Sequence, residues 1–596
     1  MLAPKLISVF LLQRKKLSDN RLRKTFSSAR LHTKYNPVIL EPHNRISMSF
    51  KFKHPYKFGQ GYEKPVAYFS MEFAIDQPLK IYSGGLGFLA GSHMRSAYDL
   101  KQNVVGIGIL WKYGYYDQVR KHNNELDVLW QERHYNFLQE MDFDIEVTVD
   151  NHPVKAKVFY LAPEVFGTAP IFLLSTDHPE NDHLAHTITH KLYDNNLSTR
   201  IAQYILLGVG GAKVLEALGH EVDLYHFNEA HALPAAFRLL EKLGSVKKVR
   251  ERVVFTTHTP VKAGNEVNDP NFLHKLGFFN GFSISEIDEL IGLDEGMFNH
   301  TLAALRLSKI ANAVSKKHQE VSNEMWGGFK DICKIIPITN AQNAKYWTDV
   351  EIEKAREKKN IKKFIQRKKE MKHELFQLVA DQTGKIFDPN VLTIVWARRF
   401  AGYKRADLIA RDVERFEKLL NNKDMPVQII WAGKPYPLDH SAVSTFNWLV
   451  HFTRKYQNAT ILTGYELGLS ALMKKGSDVW LNNPRVPQEA SGTSGMTAAM
   501  NGSLNFSTND GWILEFGEHG KNGFVIPEAD LKWPEGEQDQ WDSDHMMKIL
   551  EEEVVPMYYQ DQDRWVEMNF QSMEDVSKYF RASRMADEYY KKLYNL

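Results

Sequence analysis

Short runs of continuously apolar, β-prone residues recur along this 596-residue chain, each followed by a stretch with helical spacing, and that alternation restricts the fold more than any other feature. From Pro65 the runs are PVAYFSM, VVGIGILW, VKAKVFYL, APIFLLST, DLYHFN, RVVFTTHT and CKIIPIT. A strand that is apolar throughout has to be covered on both faces, so such strands alternating with helices predict an α/β fold with a doubly wound sheet. A second series follows: VLTIVWARR, PVQIIWAGK, ATILTG, SDVWLN and SLNFST. Between them, from about residue 349 to 383, a charge-dense helical stretch with sparse apolar positions reads as a solvated connector. Single cores stop growing well short of this length. The expected organisation is therefore two Rossmann-like domains, 60–385 and 386–545, facing a central cleft, with helices over 546–596 packing back on the body. Within the first series, NNLSTRIAQYILLGVGGAKVLEALG is a long helix candidate. Its glycines lie inside the helical pattern, so close packing explains them better than a nucleotide-binding turn.

Composition excludes several functions. The 75 basic and 73 acidic residues nearly cancel, and no basic stripe interleaved with aromatics appears, which argues against nucleic acid as a partner. Cys333 is the only cysteine, so intrachain disulfides, multi-cysteine zinc sites and redox pairs are ruled out, and a reducing, cytoplasmic compartment is expected. Residues 1–47 form a basic leader carrying ten Lys or Arg against Asp19 and Glu41, a balance of +8 that leaves the body near −6. LISVFLL is too short to span a bilayer, so no membrane partner is expected. The Arg- and Ser-rich RKTFSSARLHTKY fits an organelle transit segment, and a disordered tail or a true start at Met48 is the alternative.

Polar residues collect where strands end. IYSGGLGFLAGSH places Ser83, Gly84, Gly85 and Gly87 before a helix, where free N–H groups suit an anion. RVVFTTHT runs on to His258 and Glu266, LYHFNEAH offers Asn228, Glu229 and His231, and IPITNAQN offers Asn340 and Asn343. Each alone fits a structural role, and together they exceed what packing needs. In the second series, Arg398, Arg399, Lys404 and Arg405 crowd one strand end and would repel one another unless an anion or carboxylates lie among them. Tyr465 and Glu466 follow another strand, and Glu489, Ser491, Gly492 and Thr493 open a helix. Cations and helix N-termini facing polar strand ends suit transfer of a group to or from phosphate. Hydrolysis by paired carboxylates and metal catalysis are disfavoured: no two acids stand out, no HExxH occurs, and the histidines form no ligand-spaced cluster.

Taken together, YFSMEFAI, YSGGLGFLAGSH, NEAHALP, TTHTP, ITNAQN, RRFAGYKRADL, WAGKP, DVWLNNPR, EASGTSGM and EEEVVPMYY resemble the glycogen (α-glucan) phosphorylases, especially the short bacterial-type members. The resemblance covers nearly everything after residue 60. It implies the glycosyltransferase B fold and retaining transfer of glucose between an α-1,4-glucan and phosphate, giving glucose 1-phosphate. It also implies roles: Gly84 and Gly85 approach the substrate phosphate, Arg399 and Lys404 bind it, and His258 hydrogen-bonds the glucose. Asn228, Asn340, Glu489, Ser491 and Gly492 hold the sugar, while Tyr465 and Thr493 lie against a pyridoxal phosphate cofactor. A homodimer is left open.

The departure is Thr497. Members that use pyridoxal phosphate have a lysine ending GTSGMK, which forms the Schiff base, and here the stretch is GTSGMT. No other lysine lies in the matching loop; Lys474 and Lys475 are upstream and read as a surface turn. In the family the cofactor's phosphate exchanges the proton, so losing the tether weakens retention without removing a reacting group. Three readings stay open: a phosphorylase with untethered cofactor or a substitute phosphate, a transferase using a nucleotide sugar, or an inactive glucan-binding relative.

Overall fold

The computed structural model describes residues 52–596; the basic leader and the start at Met48 lie outside them. Two large sheets organise this part. The first has nine strands: β1 (Val66–Phe69), β2 (Val104–Ile109), β3 (Gln139–Val149), β4 (His152–Leu161), β5 (Ile171–Ser175), β6 (Leu224–Asn228), β7 (Val253–Thr256), β8 (Ile310–Ala313) and β9 (Lys334–Pro337). Their spatial order is β9-β8-β7-β6-β1-β2-β5-β4-β3. The core strands are parallel and fully buried, as their apolar runs require. The β3–β4–β5 edge departs from a purely parallel sheet: its pairs are antiparallel, and β3 alternates buried and exposed positions because one face meets solvent.

The second sheet has six parallel strands: β10 (Leu392–Ala397), β11 (Val427–Ala432), β12 (Ala459–Leu462), β13 (Val479–Asn482), β14 (Leu504–Thr508) and β15 (Gly523–Ile526). Their order is β12-β11-β10-β13-β14-β15. In each sheet the chain leaves a central strand to one side and later returns to its other side. The crevices at the carboxyl ends of β1 and β10 are therefore topological switch points, where open α/β sheets bind ligands. The residues emerging there are Ser70–Glu72 from β1 and Arg398–Arg399 from β10.

Four helices bear on the site: α1 (Gly85–Asp99), α2 (Ile361–Thr383), α3 (Leu467–Gly476) and α4 (Ser494–Ala499). The expected solvated connector is instead packed. Phe364, Met371, Leu375 and Val379 recur at helical spacing on α2 and bury one stripe against α3 and β12. Lys368 and Lys372 lie on that stripe; Lys368 donates to the carbonyls of Lys475 and Ser477, and Lys372 pairs with Asp478 at 2.5 Å. Charge density concealed the stripe, because long side chains bury their stems while their heads find acceptors. Lys474 and Lys475 correct a second expectation. Both lie inside α3 rather than in a turn, and Lys474 is only 1% exposed.

The glycine-containing helix runs from Leu197 to Ala217 through a π-turn at Leu206–Gly210. A Cβ on Gly208 would fall 2.6 Å from the Ala235 nitrogen, so close packing is what this glycine permits. At the chain's end, Tyr594 Oη lies 2.6 Å from His226 Nδ1 under the first sheet. No helix among the described residues is long and apolar enough to cross a membrane.

Candidate functional site

The two switch points open onto one cleft of about 360 Å³, within the size range of small-ligand sites. Its walls include Glu72, Ser83–Gly85, Phe88, Tyr193, His258 and Asn340 from the first half, and Arg398, Arg399, Tyr403, Lys404, Lys434, Tyr465 and Glu489–Ser494 from the second. Most residues expected to act together are thus brought together, although they come from strand ends far apart in sequence.

Part of the glycine loop is already engaged. The Glu72 carboxylate accepts from Ser83 N–H at 2.6 Å and Gly84 N–H at 3.1 Å, and Tyr193 Oη donates to it at 2.8 Å. The Glu72 carboxylate, which the sequence reading missed, thereby engages the backbone just ahead of α1, without a cap bond to its first turn, and Gly84 is corrected from an open donor to an engaged one. Gly85 lines the cleft with open space at its Cβ position. Glu72 had a readable signal: it is the acid that follows the central apolar strand.

His258 lies beyond β7 and its Nε2 is 2.6 Å from Asn228 Oδ1. An amide oxygen only accepts, so Nε2 carries the proton and Nδ1 keeps its lone pair. Burial pushes the imidazole down to about 3, so the ring is neutral at ordinary pH. Asn228 Nδ2 donates to Ser70 Oγ at 3.1 Å, and Ser70 Oγ donates to the Glu72 carbonyl at 2.9 Å. Asn228, expected against the sugar, is therefore off the cleft wall, with its amide spent on orienting His258. Asn228→Ala should lower kcat about tenfold, the equivalent of one lost hydrogen bond, with little change in KM; steady-state kinetics on the variant check this.

On the opposite wall, Glu489 accepts from Arg398 at 2.5 Å and from Lys404. Burial pushes its carboxyl up, and the two cations more than reverse this, holding it at about 2. Arg405 points elsewhere, to Asp539 and Asp542 at 2.9 and 2.7 Å. Lys434 is tied to Glu466 at 2.9 Å. Of the cleft cations, Arg399 alone has no carboxylate within 4.0 Å among the described residues. Three buried polar atoms of cleft-lining residues also lack a partner among the described residues: Asn340 Oδ1, Ser491 Oγ and Arg398 Nη1. Such atoms are costly unless a polar ligand meets them.

Gly492 holds φ +86°, a left-handed backbone that places Ser491 and Thr493 around the turn into α4. That helix has only 6 residues, and its N-cap Thr493 makes no side-chain capping bond. Tyr465 lines the cleft, and its hydroxyl donates to the Ala397 carbonyl at 3.1 Å. Thr497 is not on the cleft wall: it is fully buried, and its hydroxyl donates to the Ser494 carbonyl of its own helix at 2.9 Å. Glu266 and Asn343 are structural, Glu266 bonded to Tyr204 at 2.9 Å and Asn343 capping the short helix that contains Tyr346 at 3.0 Å.

A family model described as carbohydrate phosphorylase matches residues 338–526. The chain is 48% identical to an uncharacterized protein of Methanocaldococcus jannaschii over 89% of its own length and all of that protein's. It is 36% identical to the maltodextrin phosphorylase of Thermococcus litoralis, covering 90% of this chain and 71% of that one. With the glycogen phosphorylase of Aquifex aeolicus it shares 31% identity over 98% of this chain and 92% of the relative.

Proposed function

This chain belongs to the carbohydrate phosphorylase family, and from that premise we propose that it transfers a glucosyl residue between an α-1,4-glucan and phosphate, with retention at the anomeric carbon. The observation that carries the reading is a single cleft in which the uncompensated Arg399 stands among unpartnered polar atoms of Asn340, Ser491 and Arg398. An unpaired guanidinium suits a phosphate dianion, and the orphaned oxygens suit sugar hydroxyls.

In this proposal Arg399 and Lys404 hold the reacting phosphate, Lys404 being anchored by Glu489. His258 Nδ1 accepts from a sugar hydroxyl, and Asn340 and Ser491 fix the ring. Developing positive charge at the anomeric carbon is met by the phosphate that Arg399 holds beside it, which costs little reorganisation during the reaction. The C1–O4 bond of the glucan breaks, a phosphate oxygen bonds C1 on the same face, and the leaving O4 takes the proton that the incoming hydrogen phosphate gives up.

The residues present fit the phosphate end of pyridoxal phosphate: the orphaned Arg398 Nη1, the uncapped turn at Thr493 and Ser494, and Tyr465 would hold it. When bound, it supplies a second phosphate able to exchange that proton. Thr497 offers no amine to its other end.

The deciding experiment supplies the purified protein with maltodextrin and phosphate, with and without added pyridoxal phosphate, and measures glucose 1-phosphate. Release is expected, increased by the cofactor. Glucose incorporation from a nucleotide sugar without any glucose 1-phosphate release would select the nucleotide-sugar reading instead.

A further inference from the structure

Among the described residues, Lys474 is the one buried lysine whose surroundings do not explain its charge. Lys368 and Lys385 are each ringed by backbone carbonyls, and Lys372, Lys404 and Lys434 each pair with a carboxylate. Lys474 Nζ has no hydrogen-bond or ion-pair partner among the described residues and lies instead 3.8 Å from the centroid of the Trp347 ring and 5.3 Å from that of Phe88. An ammonium so placed forfeits its hydration for aromatic faces alone, a poor exchange unless the group is neutral or awaits a partner.

Its position gives that partner a class. Phe88 is on the cleft wall, one turn into α1 beyond Gly85. Trp347 and Phe88 belong to the same apolar cluster as Leu467 and Ala471 of α3 and Met496, Ala499 and Met500, which flank Thr497 on and just after α4. The Lys474 amine therefore enters, from α3, the apolar layer behind the cleft that α4 also faces, while α4 itself has a threonine that is closed on its own backbone.

We propose that Lys474 supplies the amine that Thr497 lacks and captures, in the apolar layer behind Phe88, a phosphate-bearing aromatic aldehyde of the pyridoxal phosphate class whose phosphate lies in the cleft. This rests on the phosphorylase reading of the cleft. Burial pushes the amine well below the usual lysine range, which favours the neutral form whose lone pair attacks a carbonyl. The lone pair adds to the aldehyde carbon, the nitrogen gives up its two protons, and the carbonyl oxygen leaves as water with them. A carbon–nitrogen double bond remains, with no net oxidation. The flat apolar faces of Trp347 and Phe88 suit an aromatic ring, and they exclude the water that would hydrolyse the product.

The test incubates the full chain with a stoichiometric amount of pyridoxal phosphate and reduces it with borohydride, which delivers hydride to the new double bond. Peptide mass mapping then locates the adduct. Lys474 should carry it, and Lys474→Met, close in size and free of amine, should lose it while keeping the wild-type melting temperature or raising it. Thr497→Lys is the control for the cleft. If that variant is labelled at position 497 while the native chain is unlabelled at Lys474, the cleft takes the aldehyde but Lys474 is not its tether, and the inference falls alone. If neither protein is labelled in the cleft, or only surface lysines react, both the inference and the cofactor-shaped cleft are overturned.

Discussion

Arg399→Ala should lower kcat/KM for phosphorolysis by a factor on the order of 10²–10³, the scale on which removing one preorganised charge-stabilising donor acts. The phosphate that Arg399 is assigned carries its charge into the transition state, so the loss should fall on kcat as well as on the KM for phosphate. The fold should be untouched. Arg399 is surface-accessible at the cleft and has no carboxylate partner to leave stranded. Steady-state kinetics over a range of phosphate, with a thermal melt on the same preparation, make the measurement. Near-native kcat/KM would sink the assignment of the phosphate site. Lys404→Ala should also abolish transfer, and it should spare most of the stability because Arg398 continues to hold Glu489.

Glu489→Ala should do both kinds of damage. It strands Arg398 and Lys404, which are 6% and 7% exposed, and breaking a buried ion pair from one side costs about 3–5 kcal/mol. The melting temperature should fall by several degrees and glucosyl transfer should be lost. A pH signature separates this from general misfolding. The Glu489 carboxyl is held at about 2 in the fold against 4.5 as its ordinary value, so it binds fewer protons folded than unfolded across that interval. Its contribution is therefore fully present above pH 4.5 and is lost as pH falls toward 2. The native chain should lose stability more steeply than the variant over that range, and chemical denaturation at a series of pH values would read the difference. Equal slopes would mean that the Arg398–Glu489–Lys404 contact contributes nothing.

The sheets were legible because a fully buried parallel strand leaves a short apolar run, rich in β-branched residues and separated from the next by a helical pattern. The residues at their carboxyl ends were legible for a related reason: His258, Asn340, Arg399 and Glu489 are polar groups that packing does not demand. Glu72 escaped notice although it has the same signal, since the glycine loop beside it looked sufficient as an anion site. Asn228 was assigned to the sugar because a side chain's direction is not written in its position. Which acceptor its amide meets depends on β1 lying beside β6, a pairing between residues more than 150 apart. The α2 stripe was concealed by Lys368 and Lys372, whose acceptors are carbonyls and a carboxylate on distant segments.

By itself the sequence determined the two α/β sheets, the family and the absence of a lysine at position 497, because all three are matters of residue type and order. Only the tertiary structure decided which charges are spent and which remain free. Among the described residues, Glu72 engages the loop ahead of α1, Glu489 neutralises Arg398 and Lys404, Arg399 is left uncompensated, and Lys474 is buried against Trp347 without a partner. A buried charge is offset by partners at hydrogen-bonding distance, so compensation depends on neighbours brought together by the crossing of strands and helices, and no reading along the chain contains those distances.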